Sequence, residues 1–375
     1  MYPYFITFFI SVVISYFSQR MINNGNKKIG IFLLILSILP LTLLAGLRSV
    51  ELGYDTKLYG VSIFERIHNY TGTEFINYLS ISSVEKGFLV VVFLLDRICG
   101  NINFVLFGLQ AIISISFIIF MYSYKEKCRF TIMMLVYCCT LYTRSYDILR
   151  QGIAIALILL MIVMLDKKKY KTAILLYILS LFCHNSSFAA IIIPIIYIIE
   201  NLKIKDKYRY IVYLSACLTI TFFSAFYTNI LQILASFGLV SSKYLVYIGE
   251  DFSNSSLDIR FGVTIVKLIV LLCCFMYKNR SKLYDKKDDK WIMLLVFDFI
   301  INFLSFKVRN IDRIAWYFYY PATFIMAPQL VKIVKNEKAN RIIFSILISA
   351  LFLAEFLEKL ITNRYHLNPY LSIFS

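Results

Sequence analysis

The chain has 375 residues, of which 60% are hydrophobic and only 16% charged, and it carries a formal net charge of +17. Its apolar residues come in long blocks, without the alternating or one-sided pattern of a soluble domain, which excludes a water-soluble globular fold. The positive charge sits in short loops between those blocks and gives no case for nucleic-acid binding.

Blocks of roughly 17 to 25 apolar residues match a bilayer when helical, and a helix satisfies its own backbone groups in lipid. In chain order the predicted spans are 2–18, 30–47, 102–122, 130–142, 148–165, 172–184, 186–200, 210–228, 261–277, 291–306, 314–331 and 342–361. A further stretch, 87–99, is short and carries Asp96 and Arg97 at its end, so it reads as re-entrant or as buried among other helices. The first block lacks a small-residue cleavage site and is followed by another span, so it reads as an uncleaved helix. The expected fold is all-α: one polytopic membrane domain over residues 1–375 with about 12–13 transmembrane helices and extracytoplasmic loops at about 48–86 and 229–260.

Orientation follows from the basic residues, which favour the cytoplasmic side when they lie in short loops. Six alternate loops, among them "DKKKYK" (166–171), "KIKDKYR" (203–209) and "KNRSKLYDKKDDK" (278–290), hold 24 of the 39 basic residues. The loop 48–86 instead mixes Arg48, Lys57, Arg66 and Lys86 with Glu51, Asp55, Glu65, Glu74 and Glu85, and is placed outside. On this topology Arg48, Asp55, the cluster from Arg144 to Gln151, His184, Arg309, Asp312 and Arg313 all fall at extracytoplasmic helix ends. They define a positively charged outward vestibule.

The stretch "RSYDILRQG" (144–152) opens a span with unusual polarity. On one continuous helix Arg144, Asp147 and Gln151 recur at i, i+3 and i+7 and share a face, with Arg150 beside them. Guanidinium groups bind phosphate oxygens bidentately, and near lipid they must be paired or face a cavity. An internal Arg/Asp pair that fixes helix packing is the other reading. Lys267 and Asp298, inside neighbouring spans, read first as mutual neutralisation and second as a proton path.

The ordered series "AGLRS", "GYDTKLY", "EKGFL", "ILRQGIAIAL", "FCHNSS", "RIAWYFYYP" and the closing "NPY" resembles the EpsG-like branch of the Wzy-type polymerases, along nearly the whole chain. That resemblance implies a membrane glycosyltransferase of GT-C-like architecture in the bacterial cytoplasmic membrane, with its active face extracytoplasmic. Donor and acceptor would both be undecaprenyl-pyrophosphate-linked oligosaccharide repeats, and undecaprenyl pyrophosphate would leave. A chain-length regulator and a repeat-unit flippase are the implied protein partners.

Matched residue by residue, the resemblance puts Arg48, Arg150 and Arg313 on the pyrophosphates, with Arg144 and Arg309 as helpers and Gln151 beside them. Asp55 or His184 takes the proton from the acceptor hydroxyl, and Glu85 and Tyr59 are further substrate-binding candidates. Each has a plain structural alternative: "HNSS" can cap a helix, Tyr59 and the aromatic run at 316–320 can belong to an interfacial belt, and Gly53 serves backbone conformation. The eight cysteines show no metal or disulfide spacing, and no phosphate-binding glycine loop is present, so neither cofactor nor metal is expected. A flippase for the same lipid-linked glycan and an acyltransferase acting on surface glycans are the alternative functions. Polarity gathered at one face, with no internal repeat, favours the polymerase over an alternating-access carrier.

Overall fold

The structure is a computed structural model, and it describes residues 2–202, 208, 211, 212, 215, 257–281, 284–304, 311–333, 338–363 and 366–374. Among these residues the regular structure is helical, and one isolated bridge pairs Arg48 with Ser372. The chain divides into two compact units, one formed by Met1–Ile191 with Thr323–Ser375 and the other by Ile192–Ala322.

In the first unit α1 (Tyr2–Asn23) turns at Gly25 into α2 (Lys27–Leu36), and Ser18 Oγ on α1 donates to Gly30 O at 2.7 Å. Pro40 has no N–H for the carbonyl four residues back, so the span breaks and resumes as α3 (Leu39–Gly46). The loop that follows carries a π-helical turn (Thr56–Val61) and three short helices: α4 (Ser62–Ile67), α5 (Gly72–Ile81) and α6 (Lys86–Cys99). Next come α7 (Ile102–Ser123), α8 (Phe130–Tyr137) with a π-helical turn at Cys138–Tyr142, α9 (Leu149–Asp166) and α10 (Tyr170–Cys183).

Among the described residues four stretches are long and apolar enough to cross a membrane: Tyr2–Asn23, Lys27–Gly46, Ile102–Ser123 and Leu149–Asp166. Phe130–Tyr142, Tyr170–Cys183 and Asn185–Asn201 are shorter apolar helices. The protein is therefore an all-α, multi-pass membrane protein, and these seven segments coincide with the first seven predicted spans. Span 210–228 and the loop 229–260 lie almost wholly outside the described residues.

The short stretch at 87–99 is α6. Gly87 packs on the backbone of Phe182, at the close of α10, where an added Cβ would stand 2.8 Å from the Phe182 carbonyl. The far end passes through Gly100 (φ 61°) into Asn103, whose Nδ2 donates to Gly46 O at 2.7 Å and to Arg48 O at 3.0 Å, at the close of α3. A helix of 14 residues is about 21 Å long, short of the hydrocarbon thickness of a bilayer. Its exposed face holds Val90, Leu94 and Ile98, and its buried face Phe88, Leu89 and Val92.

The core of the first unit forms around α9, whose residues are mostly buried. Beside it Phe117 stacks on Tyr137 with ring centroids 4.0 Å apart. The polar side chains within this core bond one another, with Ser145 Oγ donating to Gln110 Oε1 at 2.7 Å and Ser114 Oγ lying 2.8 Å from Tyr137 Oη. Buried polar groups need such partners because an unmade bond there costs about 1–3 kcal/mol.

A 3-10 turn (Asn185–Ile191) of the first unit precedes α11 (Ile192–Asn201), which opens the second, and α12 (Leu257–Arg280) and α13 (Asp289–Leu304) follow there. Lys267 Nζ donates to Asp298 Oδ1 at 2.6 Å with both side chains buried, so the pair neutralises itself between α12 and α13. The helix α14 (Asp312–Leu330) ends in the first unit, as does α15 (Lys338–Ile361). On α15 Lys359 is buried, pairs with Glu355 at 2.6 Å and donates to Cys139 O, a carbonyl of the second π-helical turn, at 3.1 Å.

Candidate active site

Of the residues that the sequence placed at extracytoplasmic helix ends, Arg48, Asp55, the cluster from Arg144 to Gln151 and His184 belong to the first unit. Arg48 is 1% exposed. Its guanidinium lies 3.9 Å from the ring centroid of Tyr146 and its Nη2 donates to Thr56 Oγ1 at 2.9 Å, while Thr56 Oγ1 donates onward to Tyr146 O at 3.2 Å. Tyr146 Oη is in turn 2.6 Å from Tyr142 Oη. Among the described residues Arg48 makes no ion pair, and its buried Nε–H has no acceptor.

The backbone at Arg48 is fixed from two sides. Asn103 holds its carbonyl, and the C-terminal tail pairs alongside, with Ser49 N donating to Leu371 O at 2.8 Å and Ile373 N to Leu47 O at 3.0 Å. Tyr370, from the closing "NPY", donates its hydroxyl to Leu44 O at 2.8 Å, and Tyr4 donates to Leu367 O at 3.1 Å. The two ends of the sequence are thereby tied together beside Arg48.

Gly53 has φ 86°, and a Cβ there would run into the Tyr146 carbonyl. The turn that only glycine permits lets Tyr54 N donate to Asp147 Oδ1 at 3.0 Å and buries Asp55 and Thr56. These contacts overturn the expectation of one helix bearing Arg144, Asp147 and Gln151. The chain turns through Ser145–Asp147, Ile148 has φ −139° and ψ 49°, and α9 starts at Leu149. Tyr146 O and Asp147 Oδ1 bond to the loop, in competition with helical geometry. Arg144 and Asp147 are 3.6 Å apart, the internal pair that was the alternative reading, and Gln151 is buried on the first turn of α9.

A second arginine stands at the start of α9. Arg150 lies 3.5 Å from the ring centroid of Tyr59, on the first π-helical turn, and its Nη1 donates to Glu85 Oε2 at 2.6 Å. The other oxygen of Glu85, Oε1, is 3.2 Å from His184 Nδ1. One carboxylate therefore spans a guanidinium and an imidazole, and the three side chains are 9–12% exposed. Burial raises the Glu85 carboxyl, but the His184 hydrogen bond and the Arg150 charge more than offset it and bring the group down from 4.5 to about 2. Among the described residues the buried Nε–H of Arg150 has no acceptor.

Local sequence explains the meeting. Glu85 is the N-cap of α6 but its side chain makes no cap bond, and Gly87 allows that helix start to press against Phe182, two residues before His184. His184 closes α10 in extended conformation, and its carbonyl accepts from Ser187 N at 3.0 Å and Ser187 Oγ at 2.8 Å. The "HNSS" turn is thus built by the backbone of His184, while Nδ1 of its ring meets Glu85.

Of the expected site residues, Arg48, Asp55, Tyr59, Glu85, Arg144, Arg150, Gln151 and His184 belong to the first unit. Arg313, half-buried on the first turn of α14, belongs to the second, and Arg309 lies outside the described residues. Trp316, Tyr317, Tyr319 and Tyr320 are buried, and Lys267 Nζ lies 4.6 Å from the Tyr319 ring centroid. The sequence reading did not single out Thr56, Tyr146 or Gly87. Their signal was adjacency, since each lies inside a quoted motif.

The family model of the EpsG family matches residues 31–372, and the chain belongs to that family, a Wzy-type polymerase family. No curated protein and no solved structure matches it.

Proposed function

We propose that this EpsG-family chain joins undecaprenyl-pyrophosphate-linked oligosaccharide repeats into a bacterial surface polysaccharide at the outer face of the cytoplasmic membrane, releasing undecaprenyl pyrophosphate. Family membership supports a polysaccharide-polymerase role in general. The observation that carries the finer reading is Arg48, a buried guanidinium with no ion pair among the described residues and an N–H without an acceptor. A buried cation costs several kcal/mol unless an anion answers it. A pyrophosphate oxygen answers both the charge and the orphaned donor.

In the proposed reaction an acceptor sugar hydroxyl attacks the anomeric carbon of the donor glycan. The bond from that carbon to the phosphate oxygen breaks, and the pyrophosphate leaves with the electron pair. Arg48 and Arg150 hold and neutralise the headgroup as negative charge develops, which is where fixed donors act most strongly. Their planar groups lie against Tyr146 and Tyr59, so little reorganisation is needed. The positive charge comes from guanidinium groups, and the proposed reaction needs neither metal nor cofactor.

Cells carrying Arg48→Ala test this reading. Single lipid-linked repeats should reach the outer face and accumulate there unpolymerised. Repeats trapped on the cytoplasmic side would make the protein a carrier.

A further inference from the structure

We infer that Glu85 is the positioning residue of the reaction: one buried carboxylate aims the imidazole of His184 at the acceptor hydroxyl and fixes the guanidinium of Arg150 for the donor pyrophosphate. The inference rests on the polymerase reading and adds the choice of base, together with the group that sets it.

The geometry assigns the roles. Glu85 Oε1 is 3.2 Å from His184 Nδ1, and an ionised carboxylate can only accept, so Nδ1 carries the proton. With Nδ1 committed, proton exchange with substrate falls to Nε2. The hydroxyl proton passes to Nε2 as the new glycosidic bond forms and the phosphate bond breaks. The resulting imidazolium is stabilised by the carboxylate already on its other side, and it later returns the proton to solvent or to the departing pyrophosphate. An Asp or Glu that orients a histidine in this way is a recurring device of general-base catalysis.

The second oxygen ties the base to the phosphate site. Glu85 Oε2 accepts from Arg150 Nη1 at 2.6 Å, and Tyr59 covers the guanidinium face. Glu85 faces His184 from the start of α6 and Arg150 faces it from α9. The 3-10 turn Asn185–Ile191 has no charged residue, and the remaining charges of the two helices are Lys86, beside Glu85, and Asp96, Arg97 and Asp166 at their far ends. Glu85 is a carboxylate that touches both a candidate base and a cation, with His184 Nδ1 at 3.2 Å and Arg150 Nη1 at 2.6 Å.

The test uses purified full-length protein in nanodiscs with three readouts: the pH profile of chain extension, the separation of kcat from donor KM, and the titration of labelled histidine. The chain has three histidines, so His184→Gln identifies the relevant resonance. Glu85→Gln should lower kcat by about 100-fold, the contribution of a well-poised base, with a smaller change in donor KM through the Arg150 that it no longer holds. It should also move both the acid limb of kcat/KM and the His184 midpoint down by about one pH unit. Glu85→Asp keeps the charge and should hold the limb at its wild-type position while recovering about tenfold of the lost kcat.

Gly87→Ala changes no charge but displaces the helix start from Phe182, so it should lower kcat and the His184 midpoint together; it serves in place of Glu85→Gln if that variant does not insert. An unmoved acid limb in Glu85→Gln, or a rise in KM with kcat intact, would reduce Glu85 to a structural residue and overturn the inference. Absence of chain extension by the wild-type protein would defeat the polymerase reading instead, and the histidine titration would still decide the Glu85–His184 coupling.

Discussion

Replacing Arg48 by methionine should cost the protein its activity and leave its fold more stable. The guanidinium is 1% exposed and has no ion pair among the described residues, so burying it costs several kcal/mol. Against this stand the Tyr146 face at 3.9 Å, worth about 2 kcal/mol when desolvated, and the Thr56 hydrogen bond at 2.9 Å, worth about 1.5–3 kcal/mol. Methionine keeps the apolar stem and removes both the charge and its contacts. Thr56 keeps its bond to Tyr146 O, and the backbone remains tied to Asn103 and the C-terminal tail.

We expect a net gain of about 1–2 kcal/mol, in line with other buried charges replaced by apolar groups of similar volume. The melting temperature should rise by roughly 2–4 °C in a thermal-shift assay in nanodiscs. Added inorganic pyrophosphate should stabilise the wild-type protein and leave Arg48→Met unmoved. A fall of several degrees in the variant, or equal stabilisation of both proteins by pyrophosphate, would refute the argument that Arg48 is held for an anion.

Three further outcomes follow from the same geometry. Arg150→Lys keeps the charge but loses the plane that covers Tyr59 and reaches Glu85; chain yield should fall by about two orders of magnitude with normal membrane insertion, and wild-type yield would show that a point charge suffices. Because the Glu85 carboxyl is held down at about 2 against an ordinary 4.5, its contribution of about 3 kcal/mol is complete above pH 4.5 and is lost as pH falls towards 2. Acid unfolding monitored between pH 5 and 2 should show that loss in the wild type and a flatter curve in Glu85→Gln. Single cysteines at Lys86 and Gly100, in a cysteine-free background, should react with a membrane-impermeant reagent from the same side, whereas labelling from opposite sides would make α6 a transmembrane span.

The class of fold was legible because lipid demands long apolar helices, and spans such as 102–122 and 148–165 state that demand without ambiguity. The stretch 87–99 was not, since Asp96 and Arg97 fit a re-entrant helix and a buried one equally well, and the packing of Gly87 on Phe182, remote in sequence, leaves no trace in the pattern. Within the site, residue types announced themselves where their presence near lipid is costly, as with Arg48, Arg150 and His184. Their grouping did not, because the helical period suggested Arg144, Asp147 and Gln151 as one face. Pairing of the chain at 145–147 with the loop at 53–56 breaks that helix, and such pairing leaves no periodic trace. Glu85 looked like a helix-start carboxylate, which it is by backbone, while its side chain serves His184 and Arg150. The closing "NPY" carried no chemical signal at all, and its place beside Arg48 depends on tertiary contacts alone.

The most direct measurement of the central claim is a reconstitution. Purified wild-type protein in liposomes would be given undecaprenyl-pyrophosphate-linked repeats and no other protein, and the products followed by gel and by release of undecaprenyl pyrophosphate. The account predicts a ladder of lengthened glycans with one undecaprenyl pyrophosphate freed for each repeat joined, abolished by Arg48→Ala. Repeats that cross the bilayer without lengthening, or lengthening that persists in Arg48→Ala, would contradict it.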